Sequence, residues 1–394
     1  MDFDTIINRK GTYCTQWDYI KDRFGVNDLL PFTISDMDLQ SPQEIIDALI
    51  KRVNHKIFGY SRWNHDDFKN SIELWYKKRF NFNINKDDIA YSPSVIYSVS
   101  NFIRMKSSIN DNILILTPAY DGFLKTIKAN NRNILSSSLI KTESKYEINF
   151  EDFEEKCRIS KIFLFCSPHN PVGRVWDIDE LKKLVDICKK YNVYIISDEI
   201  HMDIVYNKKH IPILSVDDYD NMMLCTSASK TFNIPALGGS YLFIRNNKDR
   251  NDYLNILKDR DALSSPPILA IIATMTAYNK CDYWVDELLA YVNSNINYIV
   301  SYLNKNIPML NSYIPEGSYF AWIDYSKLNI SEEVFQKYLI EIGKVAIMNG
   351  SIYGEEGKTF IRINCACSIS KIKDCMGRIT KTIEYMKSNN IINL

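Results

Sequence analysis

KIFLFCSPHNPVG (residues 161–173), VYIISDEIHMD (193–203) and MMLCTSASK (222–230) are three stretches built alike. Each opens on a short apolar run and stops abruptly in polar or turn residues. Apolar side chains at consecutive rather than alternate positions are what a strand buried on both faces requires. NILILT (112–117) and SYLFIR (240–245) read the same way, and amphipathic stretches such as DELKKLVDICKKY (179–191) lie between some of these runs. Strand and helix in alternation predict an α/β fold with a mainly parallel sheet, whose ligands gather at the carboxyl ends of the strands.

Toward the N-terminus, SPQEIIDALIKRV (41–53) predicts a helix capped by Ser41, with Pro42 at its first position and Glu44 at its third. Past Tyr283 the pattern changes. WVDELLAYVNSNINYIVSYLNK (284–305) predicts a long helix, SYFAWID (318–324) and TFIRINC (359–365) predict strands, and a last helix follows. That change reads as a second, smaller α+β domain. No repeat and no Gly/Ser-rich or Pro-rich linker divides the chain, so its domains are continuous or interleaved.

A chain of 394 residues with 46% apolar and 12% aromatic content can bury a large core. Lys plus Arg and Asp plus Glu each total 48, which leaves no bulk field to hold a nucleic acid or an anionic membrane. The N-terminus, MDFDTIINRK, lacks the pattern of a secretory signal, and runs such as ILAIIATM (268–275) are too short to span a bilayer. A soluble, cytoplasmic protein is expected. The nine cysteines are odd in number, and Cys166, Cys188 and Cys225 sit inside apolar segments, as fits a reducing compartment. Cys365 and Cys367 lack a second half-site, and the five histidines have no ligand spacing, so no metal is expected.

The chemistry-bearing residues fall where the strands end. Asp198 follows a run of isoleucines, where a buried carboxylate without a partner costs several kcal/mol, roughly, so a cationic partner is expected. Asn170 lies in the turn after a second strand, and Lys230 just past a third. Each alone has an ordinary reading: Asp as a helix cap, N-P-x-G as a turn, Lys as a solvated side chain. Together they fit pyridoxal 5′-phosphate (PLP): Asp for the pyridine nitrogen, Asn for the phenolic oxygen, and Lys to condense with the aldehyde.

In order, N-P-V-G (170–173), D-E-I-H (198–201) and S-A-S-K (227–230) resemble the signature of fold type I aminotransferases. R-K-G-T-Y-C (9–14), S-D-M-D (35–38), F-G-Y-S (58–61), T-P-A-Y-D (117–121), F-N-I-P-A-L (232–237), L-S-S-P (263–266) and Y-G-E-E-G (353–357) are similar to the MalY/PatB-type cystathionine β-lyases, or C–S lyases. The resemblance covers nearly the whole chain. It implies a large PLP-binding domain with a mainly parallel seven-stranded sheet, over about residues 46–282. A smaller α+β domain would be drawn from both termini, 1–45 and 283–394.

The resemblance also implies a site. Lys230 would bind the cofactor aldehyde and act as the base at Cα; Asp198 would pair with the pyridinium and Asn170 with the phenolic oxygen. Tyr120 would stack on the ring. The phosphate would sit at the start of the helix after Pro93, on the N–H groups of Ser94, Val95 and Ile96, with hydroxyls from Ser227 and Ser229. Tyr60 would reach the phosphate of a second subunit in a homodimer. Arg362 would hold the substrate α-carboxylate, near Ser35 and Asn170. His201 stands where aspartate-type aminotransferases carry a cofactor-binding tyrosine, and Gly238 where they carry an arginine. The implied reaction is β-elimination from L-cystathionine or a related cysteine derivative, giving thiol, pyruvate and ammonia. Transamination and a regulatory PLP-binding role remain open beside it. The partners expected are an amino-acid substrate and a second copy of the chain.

Overall fold

The computed structural model describes residues 1–392. Seven strands form its large sheet: β1 (Ile89–Ser92), β2 (Asn112–Thr117), β3 (Asn133–Ser138), β4 (Ile162–Cys166), β5 (Tyr194–Asp198), β6 (Met222–Thr226) and β7 (Ser240–Ile244). Their order across the sheet is β1-β7-β6-β5-β4-β2-β3. Only β7 is reversed, lying antiparallel to both β1 and β6, while the remaining pairs are parallel. Every residue of β4, β5, β6 and β7 is buried, which is why those stretches carry unbroken apolar runs. At one edge, β3 reads NILSSS and is mostly half-exposed.

Helices cover the sheet. They include α1 (Gln43–Val53), α2 (Asp66–Phe80), α3 (Val95–Lys106), α4 (Asp121–Ala129), α5 (Ile178–Lys190) and α6 (Ile268–Lys280). The start of α1 differs from the expected capping box. Pro42 is the N-cap, and the Ser41 hydroxyl donates instead to the Asn233 carbonyl at 3.2 Å. Glu44 accepts from the Tyr283 hydroxyl at 2.9 Å rather than folding back on the helix end. Tertiary partners outcompete the local cap, because each of those groups gains a bond to a separate element.

Helix α7 (Asp282–Asn306) leads to a three-stranded antiparallel sheet of β8 (Phe320–Asp324), β9 (Met348–Asn349) and β10 (Phe360–Asn364), ordered β8-β10-β9, and α8 (Ile369–Ser388) closes the described chain. Leu30–Pro31 pairs in parallel with Val345–Ala346, so the N-terminal segment is tied to the C-terminal part. Side chains tie that part to the large sheet: Thr117 donates to Glu356 at 2.8 Å, and buried Arg174 is held by Glu180 and Glu316.

Candidate active site

Strands β4, β5 and β6 lie side by side, with Cys166 opposite Asp198 and Asp198 opposite Cys225. Their carboxyl ends therefore open onto one point. Asn170 follows β4, Asp198 ends β5, and Lys230 sits in the helical turn Ala228–Thr231 after β6. All three line a cavity of about 240 Å³, with Tyr120, His201 and the start of α3 in its wall.

Asp198 is 4% exposed, and its Oδ1 accepts from the Ile200 N–H at 3.0 Å. Among the described residues no side-chain cation makes a salt bridge with it. Burial instead pushes its carboxyl up to about 7, against the opposing pull of that N–H and of the Lys230 charge. A buried carboxylate without an adjacent cation relieves its desolvation by keeping a proton.

Lys230 answers from across the cavity. Its Nζ donates to the Ser35 carbonyl at 2.9 Å, and burial pulls the amine down to about 8 although Asp36 opposes the shift. The same carbonyl accepts from the Tyr319 hydroxyl at 2.7 Å. Arg9 pins the loop that carries Ser35, donating to Asp36 at 2.5 Å and to Asp38 at 2.8 Å. The motifs R-K-G-T-Y and S-D-M-D are thus two sides of one contact.

Arg362 points inward from β10 and is 4% exposed. Its Nη1 donates to Asn170 Oδ1 at 3.0 Å and its Nη2 to the Thr33 carbonyl at 3.2 Å. The guanidinium lies 3.9 Å from the centre of the Phe320 ring and 4.9 Å from that of Tyr353. Guanidinium only donates, so it fixes Asn170 with the amide oxygen toward β10 and leaves the amide N–H groups as donors. Arg362 Nε is buried without a partner among the described residues.

Ser94 is the N-cap of α3, its hydroxyl accepting from the Tyr97 N–H at 3.1 Å. The N–H groups of Val95 and Ile96 remain at the positive end of that helix, a ready anion site. Ser227 departs from expectation. Its hydroxyl donates to the Gly239 carbonyl at 2.8 Å and caps Ser229 N–H at 3.1 Å, so it shapes the wall instead of offering a free proton. Gly239 has φ +83°, and a Cβ there would lie 3.0 Å from Ala270 Cβ. Ser229 lines the cavity beside it.

The Tyr120 ring folds back over Gly122, where an added Cβ would meet the ring at 2.4 Å. Burial raises its phenol to about 12. His201 is buried and held neutral, its imidazolium form driven down to about 3 by burial; its ring packs edge-on to Tyr319 at 5.3 Å, and Nδ1 has no partner among the described residues. Tyr60 is fully exposed and stands apart from the cavity of its own chain. Sequence reasoning assigned no site role to Tyr319, Phe320 or Tyr353, although Tyr353 begins the Y-G-E-E-G match and Phe320, just after Tyr319, opens the strand that pairs with β10.

The chain matches the family model described as aminotransferase class I and II over residues 27–379. It belongs to that family. Within the class I and II aminotransferases it is similar to Protein MalY of Escherichia coli strain K12, 44% identical over 98% of this chain and 100% of that protein. It is also similar to cystathionine beta-lyase PatB of Bacillus subtilis strain 168, 34% identical over 96% and 99% of the two chains. Among solved structures, the PLP-bound C–S lyase from Staphylococcus hominis superposes with a TM-score of 0.92, at 30% identity over 97% of this chain and 98% of that one.

Proposed function

We propose that this chain is a PLP-dependent C–S lyase that performs β-elimination on L-cystathionine or a related cysteine derivative, releasing thiol, pyruvate and ammonia. The observation that carries the reading is the convergence of an amine, a carboxyl and an amide on one cavity, Lys230, Asp198 and Asn170, with the Arg362 guanidinium bonded to Asn170 in the adjoining wall. Near full-length identity to MalY and PatB supports it.

The residues fit the cofactor. Asp198, buried at the end of β5, would pair with a protonated ring nitrogen, Asn170 offers N–H groups to a phenolic oxygen, and Val95 and Ile96 offer theirs to a phosphate. When bound, PLP withdraws electrons from the Cα of an amino acid attached to it, which lets a Cα proton and then a Cβ thiolate leave. Lys230, held by the Ser35 carbonyl and with its basicity lowered by burial, is the group placed to take the Cα proton. Arg362 presents a planar fork to the α-carboxylate and so fixes which Cα bond faces the amine. Tyr120, which lines the cavity with Lys230 and retains its proton at neutral pH, and Tyr60 of a second subunit are the phenols placed to give a proton to the departing sulfur.

An alanine at Gly122 would meet the Tyr120 ring at 2.4 Å, so the ring must turn aside. Gly122→Ala should weaken cofactor binding by about tenfold, the scale of a modest overpacking cost. Titrating apoprotein with PLP and following its visible absorption checks this.

The chain works as a homodimer in the cytoplasm. Exposed Ile46, Ile50, Ile57, Phe58 and Tyr60 form an apolar region on and just after α1, which a second copy would cover. The described cysteines are all free and buried, as fits a reducing compartment. Among the described residues no helix is long and apolar enough to cross a membrane. Mixing an inactive Lys230→Ala chain with an inactive Tyr60→Ala chain should restore part of the activity, because hybrid dimers then contain one intact site. A fully active enzyme that sediments as a monomer at all concentrations sinks the dimer reading.

The deciding assay gives the PLP-loaded protein L-cystathionine and follows pyruvate, thiol and keto-acid dependence. Pyruvate and thiol formed in equal amounts without added keto acid are expected. Turnover only in the presence of a keto-acid acceptor makes it an aminotransferase instead.

A further inference from the structure

A wider cavity of about 660 Å³ joins the site to solvent, and five cations line it: Arg9, Arg23, Lys125, Lys230 and Arg362. Four of them are engaged. Arg9 is paired with Asp36 and Asp38, Lys125 with Asp121, Lys230 rests on the Ser35 carbonyl, and Arg362 grips Asn170 and Thr33. Asp36 and Asp121, the carboxylates in that wall, are both taken by those partners. Arg23 is the exception. Among the described residues it has no carboxylate partner, and its one side-chain contact is weak, Nη1 to Met348 Sδ at 3.6 Å.

Its location is specific. Met348 on β9 stands directly across from Arg362 on β10, so the Arg23 guanidinium is held one strand away from the arginine assigned to the α-carboxylate. Tyr353, whose ring lies against Arg362, is also near enough to Arg23 for that charge to act on its phenol. The two guanidinium groups thus mark the inner and outer parts of one wall, with Lys230 and Tyr120 in the same cavity. An amino acid seated on Arg362 with its Cβ–S bond pointing to the mouth would carry the far end of its sulfur substituent toward Arg23.

We infer that Arg23 is a specificity-determining residue that receives a carboxylate at the far end of the sulfur substituent, so that the site favours thioethers with an acidic leaving group over S-alkyl cysteines. This rests on the lyase reading for what the substituent is, and on the wall geometry for where it goes. Arg23 is exposed, so the pairing is screened by salt and of moderate strength. For the same reason its replacement leaves the fold intact.

The test compares S-(2-carboxyethyl)-L-cysteine with S-propyl-L-cysteine on PLP-loaded parent, Arg23→Gln and Arg23→Lys proteins. Affinity is read from the cofactor's absorption change on titration, and turnover from pyruvate. Arg23→Gln should lose about tenfold in affinity and in kcat/KM for the carboxylated ligand. It should stay within about twofold of the parent for the propyl ligand, and Arg23→Lys should recover part of the loss. The parent's preference should shrink between about 0.05 M and about 0.5 M KCl. Equal losses on both ligands, or none on either, overturn the inference. Parent protein that binds both ligands but releases no pyruvate refutes the lyase reading, while the affinity ratio still decides the role of Arg23.

Discussion

Lys230→Ala protein supplied with PLP should turn over L-cystathionine at least ~10³-fold more slowly than the parent, the scale on which a positioned acid–base and covalent group acts. It should also lack the visible absorption that the lysine–cofactor linkage gives the parent. Among the described residues the one other lysine lining the outer cavity, Lys125, is tied to Asp121. A Lys230→Ala enzyme with the parental rate would refute the assignment of this lysine. The same burial that prepares Lys230 has a stability consequence in the cofactor-free protein. Its folded pKa, about 8, lies below the ordinary 10.5, so folding disfavours the charged amine. That penalty is fully present below about pH 8, fades as the pH rises toward 10.5, and is gone above it. Cofactor-free Lys230→Met should therefore be more stable than cofactor-free parent at pH 7, by on the order of 2 kcal/mol. The gap should close as the pH is raised through that window. A catalytic residue that weakens its own fold is the expected cost of a buried, reactive amine. Thermal melts of the two apoproteins across the alkaline range check the sign.

The sheet interior was legible because burial on both faces leaves an unambiguous trace. The runs ending at Cys166, Asp198 and Thr226 are strands, and the polar residues after them meet at one cavity. The edges left less trace. β3 carries three serines and is half-exposed, and β1 is only four residues long, so neither shows a run long enough to read. Family resemblance, not periodicity, supplied the count of seven strands. Local rules failed where a distant element offered a better partner, as when Ser41 abandoned its helix for the Asn233 carbonyl and Ser227 spent its hydroxyl on Gly239. The aromatic support of Arg362 was invisible for a related reason. Phe320 and Tyr353 reach the guanidinium only through β8 pairing with β10 and through the turn after β9, contacts between segments that no local pattern connects.

Arg362→Leu should lower kcat/KM for L-cystathionine by roughly 10²- to 10³-fold, most of it through KM, because truncating one side of a desolvated charge pair costs about 2–5 kcal/mol. The environment argues for the upper part of that range. The guanidinium is buried between Phe320 and Tyr353, so a carboxylate bound to it is shielded from water and salt. Its Nε, without a partner among the described residues, and the second N–H on each Nη remain as donors for that carboxylate while one N–H of Nη1 and one of Nη2 hold Asn170 and Thr33. Arg362→Lys keeps the charge and loses the fork. It should recover less than about tenfold of the loss, because a single ammonium cannot both hold the Asn170 oxygen and present two parallel donors to substrate. Cofactor absorption distinguishes this role from a general collapse of the site: both variants should retain the parental visible band, since Lys230 is held by the Ser35 carbonyl and Asp198 by the Ile200 N–H, neither through Arg362. An Arg362→Leu protein with unchanged KM would mean that the α-carboxylate is held elsewhere. A variant that binds no cofactor would instead make Arg362 a support for Asn170, acting through the bond at 3.0 Å rather than on the substrate.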